Sequence, residues 1–314
     1  MTMNNNYANF AQSHEWGEMN RLLGHKVIFH KNILMIIKNA KRGRFMEIPC
    51  GPLIDYSDIK LTKEIFSDIL KVAKTEKCVF IRFRPQLIDS PENRTLLESL
   101  GAHISPMHLA AEHTVIIDLT IPEEDLLKNM RRQTRYEVRK ADKQGIIVEK
   151  SHSEQIFHEF YRVQQKTAER QHFVPPSEKE LFAEHEAFGK NAVIYVAKTA
   201  EKEPIAYGLI LKSGAEADYY EAASTDLNRK LSGAYALQWR VMRDLKGEGF
   251  KRYNLWGIAP DGVKNHRYSG VTTFKTGFGG EKISFVPAHD IIVNKLKYYP
   301  DFAFETLRKK WRKL

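Results

Sequence analysis

Residues 253–281 read Y-N-L-W-G-I-A-P-D-G-V-K-N-H-R-Y-S-G-V-T-T-F-K-T-G-F-G-G-E, and the rest of the chain takes its meaning from them. Residues 252–256 predict a buried strand that Gly257 ends. A loop rich in Pro, Asp and Gly follows, and Phe274-Lys275 stands just ahead of Gly277, Gly279 and Gly280. Glycine costs backbone entropy, so such a cluster marks a tight turn or a place where something approaches the backbone closely. A lysine at its entrance can set a positive charge beside exposed N–H groups, the arrangement that stabilises a developing oxyanion. On spacing alone, the same residues also fit a solvated lysine next to a hairpin turn.

Upstream, residues 128–143 are the most basic part of the chain. Lys128, Arg131, Arg132, Arg135, Arg139, Lys140 and Lys143 stand against Glu137 and Asp142, a net +5 that is half of the protein's +10. The pattern predicts one helix from Pro122 to Lys143. Arg131, Arg135 and Arg139 recur every four residues and share a face. That face is either solvated or a strip that follows a phosphate backbone.

Elsewhere the periodicities alternate. A helix is expected over 7–24, with Phe10, Trp16, Leu22 and Leu23 as apolar anchors, and a hairpin at 26–37 around H-K-N. Helices follow at 58–76, capped by Ser57, and from Ser90-Pro91-Glu92 to Gly101, with strands at 78–83 and 114–119. After a short strand at 146–149 come a helix at 153–170 and a capping box, Ser177 with Glu180. Three strands at 192–198, 204–212 and 217–224, a helix at 231–248 and a basic terminal helix complete the chain. The mixture implies an α/β (α+β) protein of two domains, with a junction near 150.

The 314 residues, 42% hydrophobic and 28% charged, are ordinary for a globular protein. A net charge of +10 favours an anionic partner: RNA, an anionic lipid surface or a phosphorylated substrate. Cys50 and Cys78 lie far apart without metal-ligand spacing, which fits two thiols in a reducing cytoplasm. The N-terminus lacks a basic region followed by an apolar run, so no signal peptide is expected. The most apolar segment, 27–40, is too short and too polar to span a bilayer.

W-G-I followed by F-K-x-G-F-G-G resembles the closing signature of the Fem family (FemABX type), aminoacyl-tRNA-dependent transferases that build peptidoglycan cross-bridges. Four further stretches agree in order. They are E-W-G at 15–17, M-R-R-Q-T-R-Y-E-V-R-K-A-D-K-Q-G at 130–145, T-A-E-R at 167–170, and Y-Y-E-A-A-S at 219–224 followed by A-Y-A-L-Q-W at 234–239. The resemblance implies two tandem GNAT-like acyltransferase domains facing a cleft. Residues 1–150 would form the first and 151–287 the second, with a C-terminal helix at about 288–314 returning to the first. The long coiled-coil arm of the staphylococcal branch is not expected, since no sustained heptads occur.

The resemblance also implies a reaction. An amino acid esterified to tRNA passes to the side-chain amine of the third residue of a peptidoglycan stem peptide, with no cofactor and no metal. Such an acyl transfer needs orientation and charge stabilisation more than a protein nucleophile. Lys275 matches the lysine assigned to transition-state stabilisation, with Phe274 beside it. Arg170, Tyr220, Trp256 and Arg21 are candidates for substrate binding. Arg170 either faces the cleft or pairs with an acid. Arg131, Arg132, Arg135, Arg139 and Lys140 are candidates for tRNA or phosphate. Two positions depart from the family. Asn20 stands where a phosphate-binding lysine is found, with Arg21 beside it, and Pro176 falls about where an arginine would be. Both favour a lipid-linked over a nucleotide-linked acceptor, used by a cytoplasmic protein at the inner membrane face. The tail with Arg308, Lys309, Lys310, Trp311, Arg312 and Lys313 suits weak peripheral attachment to anionic lipid, or is a helix end with a packed tryptophan.

Two other readings stay open. K-L-S-G-A-Y at 230–235, ahead of a helix, suggests a pyrophosphate turn and an acyl-CoA-dependent GNAT N-acyltransferase. A non-catalytic RNA-binding module would use the basic helix but leaves F-K-x-G-F-G-G unexplained.

Overall fold

The computed structural model describes residues 9–40, 43–171, 173–263 and 266–312. The chain divides into two compact units, the first made of residues up to Glu112 and from Ser284 onward, the second of His113–Ile283.

In the first unit, α1 (His14–Leu22) follows a short 3-10 turn, and residues 7 and 8 of the expected helix lie outside the described residues. Strands β1 (Lys26–His30) and β2 (Ile33–Ala40) form the expected hairpin. Its turn residues Lys31 and Asn32 have φ of 50° and 61°, as a two-residue hairpin with right-handed strand twist requires. Next come β3 (Gly43–Ile48), α2 (Ile59–Thr75), β4 (Phe80–Phe83), α3 (Pro91–Ser99) and β5 (Ala102–Ile104). Asp58, not Ser57, caps α2, accepting from Leu61 N at 2.9 Å, because the helix begins at Ile59 and Asp58 holds the N-cap position, while the Ser57 hydroxyl donates to Asp55. Ile65, Phe66, Ile69 and Ala73 then recur at helical spacing on the buried face of α2.

The second unit opens with β6 (His113–Asp118), α4 (Glu123–Asn129), α5 (Arg132–Lys143), β7 (Ile147–Ser151), α6 (Glu154–Gln171) and α7 (Glu178–Phe188). It continues with β8 (Ala192–Lys198), β9 (Pro204–Ser213), β10 (Glu216–Ser224), α8 (Gly233–Gly247), β11 (Arg252–Asn254), α9 (Ser269–Thr276) and β12 (Glu281–Ser284). The sheet order is β12-β6-β11-β10-β9-β8-β7. The expected junction near 150 lies inside this unit. β6 pairs antiparallel with β11, and α5 lies along α8, so residues 113–150 belong with the later strands. Val138 of α5 joins Val241 and Leu245 of α8 and Tyr195 and Tyr253 of the sheet in one buried core. Each such side chain contributes roughly 1.5–3 kcal/mol of burial.

The chain then returns to the first unit with β13 (His289–Ile292) and α10 (Lys295–Arg312). β13 sits inside that unit's sheet, ordered β1-β2-β3-β4-β13-β5. Arg82 of β4 forks onto Asp290 of β13 at 2.8 and 2.9 Å and also donates to Glu305 of α10 at 2.8 Å. The longest helices among the described residues, α6 and α10, have 18 residues each, and none is long and apolar enough to cross a membrane.

Candidate active site

The parallel ladder between β10 and β11 is short: Glu216 pairs with Arg252, Ala217 with Tyr253 and Asp218 with Asn254. β10 runs on along β9 to Ser224, with a bulge between Tyr219 and Glu221. Bulges re-aim side chains and recur next to functional sites. β11 stops because buried Asn254 takes over its hydrogen bonding. The Asn254 side chain accepts from Trp256 N at 2.9 Å and from the Thr114 hydroxyl at 2.5 Å. Trp256 then adopts a left-handed φ of 58°, turning the chain away from β10. A non-glycine residue there is costly and persists only where its surroundings hold it.

Lys275 enters this corner from the last turn of α9, which the sequence had not disclosed as a helix. It is 8% exposed, and its ammonium donates to the Gly257 carbonyl at 2.9 Å and lies 5.6 Å from the centre of the Tyr219 ring. Burial lowers its pKa to about 7. This excludes a solvated lysine beside a hairpin turn. Phe274 faces the other way, edge-on to Tyr235 at 5.1 Å and to Phe278 at 5.0 Å, and so locks α9 onto the core. Tyr220 and Trp256 meet edge-to-face at 5.9 Å.

The glycines serve close approach. The Gly277 carbonyl accepts from Arg131 N at 2.8 Å, and a side chain at Gly277 would collide with Thr134 and the Arg131 guanidinium. At Gly280, φ is 86° and a Cβ would lie 2.6 Å from the Ile116 carbonyl oxygen. The run F-K-T-G-F-G-G thus lays the end of α9 against α5 and β6, which fixes Lys275.

A family model matches nearly the whole chain: the FemAB family, over residues 1–203 and 190–306. The chain belongs to the FemAB family. It is 23% identical over 344 residues to the aminoacyltransferase FemA of Staphylococcus epidermidis, covering 82% of each. It is 22% identical over 346 residues to FemA of Staphylococcus aureus, covering 83% of this chain and 81% of that protein. The crystal structure of FemX superposes with a TM-score of 0.82 at 17% identity, over 93% of this chain and 94% of that one. L-PGS from Bacillus licheniformis gives 0.59 at 13% identity, over 94% and 92%. The fold is that of the FemAB/FemX aminoacyltransferases, mixed α/β with two sheet-containing lobes.

Of the remaining candidates in this FemAB chain, Arg21 belongs to the first unit and the others to the second. Arg170 donates to the Ser224 carbonyl at 2.7 Å and pairs with Asp226 at 3.3 Å, so it pairs with an acid. It also lines a cavity of about 560 Å³ with Val163, Lys166, Glu169, Ser224, Thr225 and Asp226. Arg21, in the first unit, pairs with Glu18 at 2.9 Å. Asn20 is buried and accepts from Lys38 at 3.0 Å, which sets a strand lysine beside that position.

The basic segment is not one helix. It breaks at Met130 and Arg131, whose backbones are extended (ψ 147° and 144°). Arg131 caps α9 by donating to the Thr273 carbonyl, and Arg135 caps α4 by donating to the carbonyls of Lys128, at 2.7 Å, and Met130. Helix ends carry unsatisfied carbonyls, and these guanidiniums satisfy them. The shared arginine face therefore loses two of its three members to structure. Arg132 and Arg139 remain exposed, and Lys140 lies 3.6 Å from Glu137. Sequence reasoning missed Tyr219 and the Gly257 carbonyl, the two groups that hold Lys275. The only signal for them was adjacency to the Y-Y and W-G motifs.

Proposed function

We propose that the protein transfers an amino acid from aminoacyl-tRNA to the side-chain amine of a peptidoglycan stem peptide, as the tandem GNAT-like Fem enzymes implied by the sequence motifs do. The observation that carries this reading is Lys275, a cation held without a carboxylate partner among its contacts, against Gly257 and Tyr219. The acceptor amine attacks the ester carbonyl carbon, and the carbonyl π electrons move to oxygen. The tetrahedral oxyanion collapses to the amide, expelling the tRNA ribose oxygen, which takes the proton lost by the amine. A desolvated ammonium stabilises that oxyanion far more than a solvated one. Phe274 orients α9, while Tyr220 and Trp256 offer an aromatic wall. Arg132, Arg139 and Lys140 are the remaining candidates for tRNA phosphate. Pro176, which offers no donor, and Arg21, engaged by Glu18, favour a lipid-linked acceptor. Lys38 beside Asn20 weighs the other way.

The start of α8 argues against acyl-CoA. Ser232 N donates to Gln144 at 3.0 Å, Ala234 N to Asn228 at 3.0 Å, and the Ser232 hydroxyl to Glu137 at 2.6 Å. Burial raises the Glu137 pKa, but the Ser232 hydroxyl and Lys140 outweigh it, so the carboxylate is ionised. A pyrophosphate approaching this helix N-terminus would meet occupied amides and a negative charge.

Single-turnover transfer from glycyl-, alanyl- and seryl-tRNA to lipid-linked and nucleotide-linked stem peptides tests the reading. Transfer to the lipid-linked form alone is expected. Transfer to the nucleotide-linked form would keep the reaction and discard the acceptor. Activity with acyl-CoA and none with charged tRNA would overturn the reaction itself.

A further inference from the structure

The last helix carries an apolar stripe on its outward side. Through Tyr298 and Phe302, α10 packs on Val79 and Phe80, and Glu305 joins Arg82. Opposite them, Leu296 is 90% exposed, Leu307 67% and Trp311 84%, with Tyr299 at 57%. Leu296, Ala303, Leu307 and Trp311 follow one another at intervals of seven, four and four residues. At 3.6 residues per turn they form a single line along the helix, roughly half a turn from Tyr298, Phe302 and Glu305. A tryptophan packed against the helix end, the other reading of the tail, does not occur. Contiguous exposed apolar surface of this kind marks an interaction site.

The charges around the stripe choose the partner. By the same periodicity, Lys297 and Arg308 border it on one side and Lys295 on the other, while Lys309 falls on the inward face. The three bordering residues are exposed, and Lys309 is half-buried. The helix's acids, Asp301 and Glu305, fall on its inward half. An apolar line bordered by cations is the signature of a helix lying in a membrane interface: tails receive the apolar residues and headgroup phosphates the ammonium and guanidinium groups.

We propose that α10 docks flat on an anionic lipid bilayer, inserting Leu296, Leu307 and Trp311 and setting Lys295, Lys297 and Arg308 against the headgroups. Lys313 lies outside the described residues. The docking does not depend on the reaction proposed above, and a chain inactive in every transfer assay would still bind.

The test is co-sedimentation of the full chain with phosphatidylglycerol-containing vesicles and with pure phosphatidylcholine vesicles. Binding to the anionic vesicles is expected to be stronger by about tenfold or more and to weaken with added salt. The double variant Leu307→Glu, Trp311→Glu is expected to lose it with an unchanged melting temperature, since both side chains are exposed. Emission from Trp311, taken as the difference from Trp311→Phe, is expected to shift to the blue on anionic vesicles. Absence of binding to anionic vesicles, or binding that the double variant retains, would overturn the proposal. So would concentration-dependent self-association that the double variant abolishes, because a second copy would then cover the stripe.

Discussion

With a pKa near 7, the Lys275 side chain is divided between charged and neutral forms at neutral pH, whereas an ordinary lysine at 10.5 would be fully charged. Two opposite consequences follow. For catalysis the charged form is the useful one, so activity should fall as pH rises through the Lys275 pKa. The attacking amine, by contrast, gains from deprotonation. A bell-shaped pH profile is expected, and in Lys275→Met its alkaline limb should vanish while turnover drops by roughly a hundredfold or more. Single-turnover rates across pH 6–9 check both, and an alkaline limb that survives in the variant would assign it to another group. For stability the sign is reversed. Between about 7 and 10.5 the unfolded chain binds more protons than the folded one, so the lysine's cost is full below 7 and fades as pH rises. Lys275→Met should therefore raise the melting temperature most near pH 6 and little near pH 10.

At the scale of elements, the end of α9, the α4–α5 break and the glycine run form one joint. Gly280→Ala sets a Cβ against the Ile116 carbonyl at a left-handed φ and should destabilise by about 1–3 kcal/mol, displacing Lys275 with it. Arg131→Ala and Arg135→Ala each strip helix-end carbonyls of a charged donor and should cost about 1–3 kcal/mol in urea titrations. Arg132→Ala and Arg139→Ala should stay within about 0.5 kcal/mol. If the segment binds tRNA, those two variants should instead flatten the salt dependence of binding. The same joint marks the limit of what the sequence discloses. The hairpin at Lys31-Asn32 and the Ser177–Glu180 capping box are local, and so were legible. The helix α9 was not: S-G-V-T-T-F-K-T is poor in helix formers. Tertiary contacts hold it instead: Phe274 packs on Tyr235 and Phe278, and Arg131, just ahead of α5, caps its end. The α4–α5 break also escaped, because neither Pro nor Gly marks it and buried Met130 sets the bend. Lys275 was found from its motif. Its burial, from which its chemistry comes, arises from partners far apart in sequence.

At the scale of the whole molecule, the first unit is closed by the end of the chain. Arg82 is 5% exposed and held by Asp290 and Glu305, with Tyr298 donating to Asp290 at 2.9 Å. Removing one partner leaves a buried charge uncompensated, so Asp290→Ala should cost about 3–5 kcal/mol. A chain ending at residue 283 should lose more, since β13 lies between β4 and β5 and its absence splits the sheet. Protection of the β4 amides from hydrogen exchange would read that loss directly. Full protection in the shortened chain would mean the four-stranded remainder is self-sufficient.

The placement of β13 also fixes an order of events on the ribosome. Domains generally fold as they emerge, first residues first. Here the unit that holds the earliest residues lacks an interior strand until residues 289–292 have left the exit tunnel. The second unit, complete at Ile283, can close sooner. The first unit must therefore wait, with β4 and β5 unjoined, while the second unit is translated and folded. Synthesis and folding run in opposite directions along this chain.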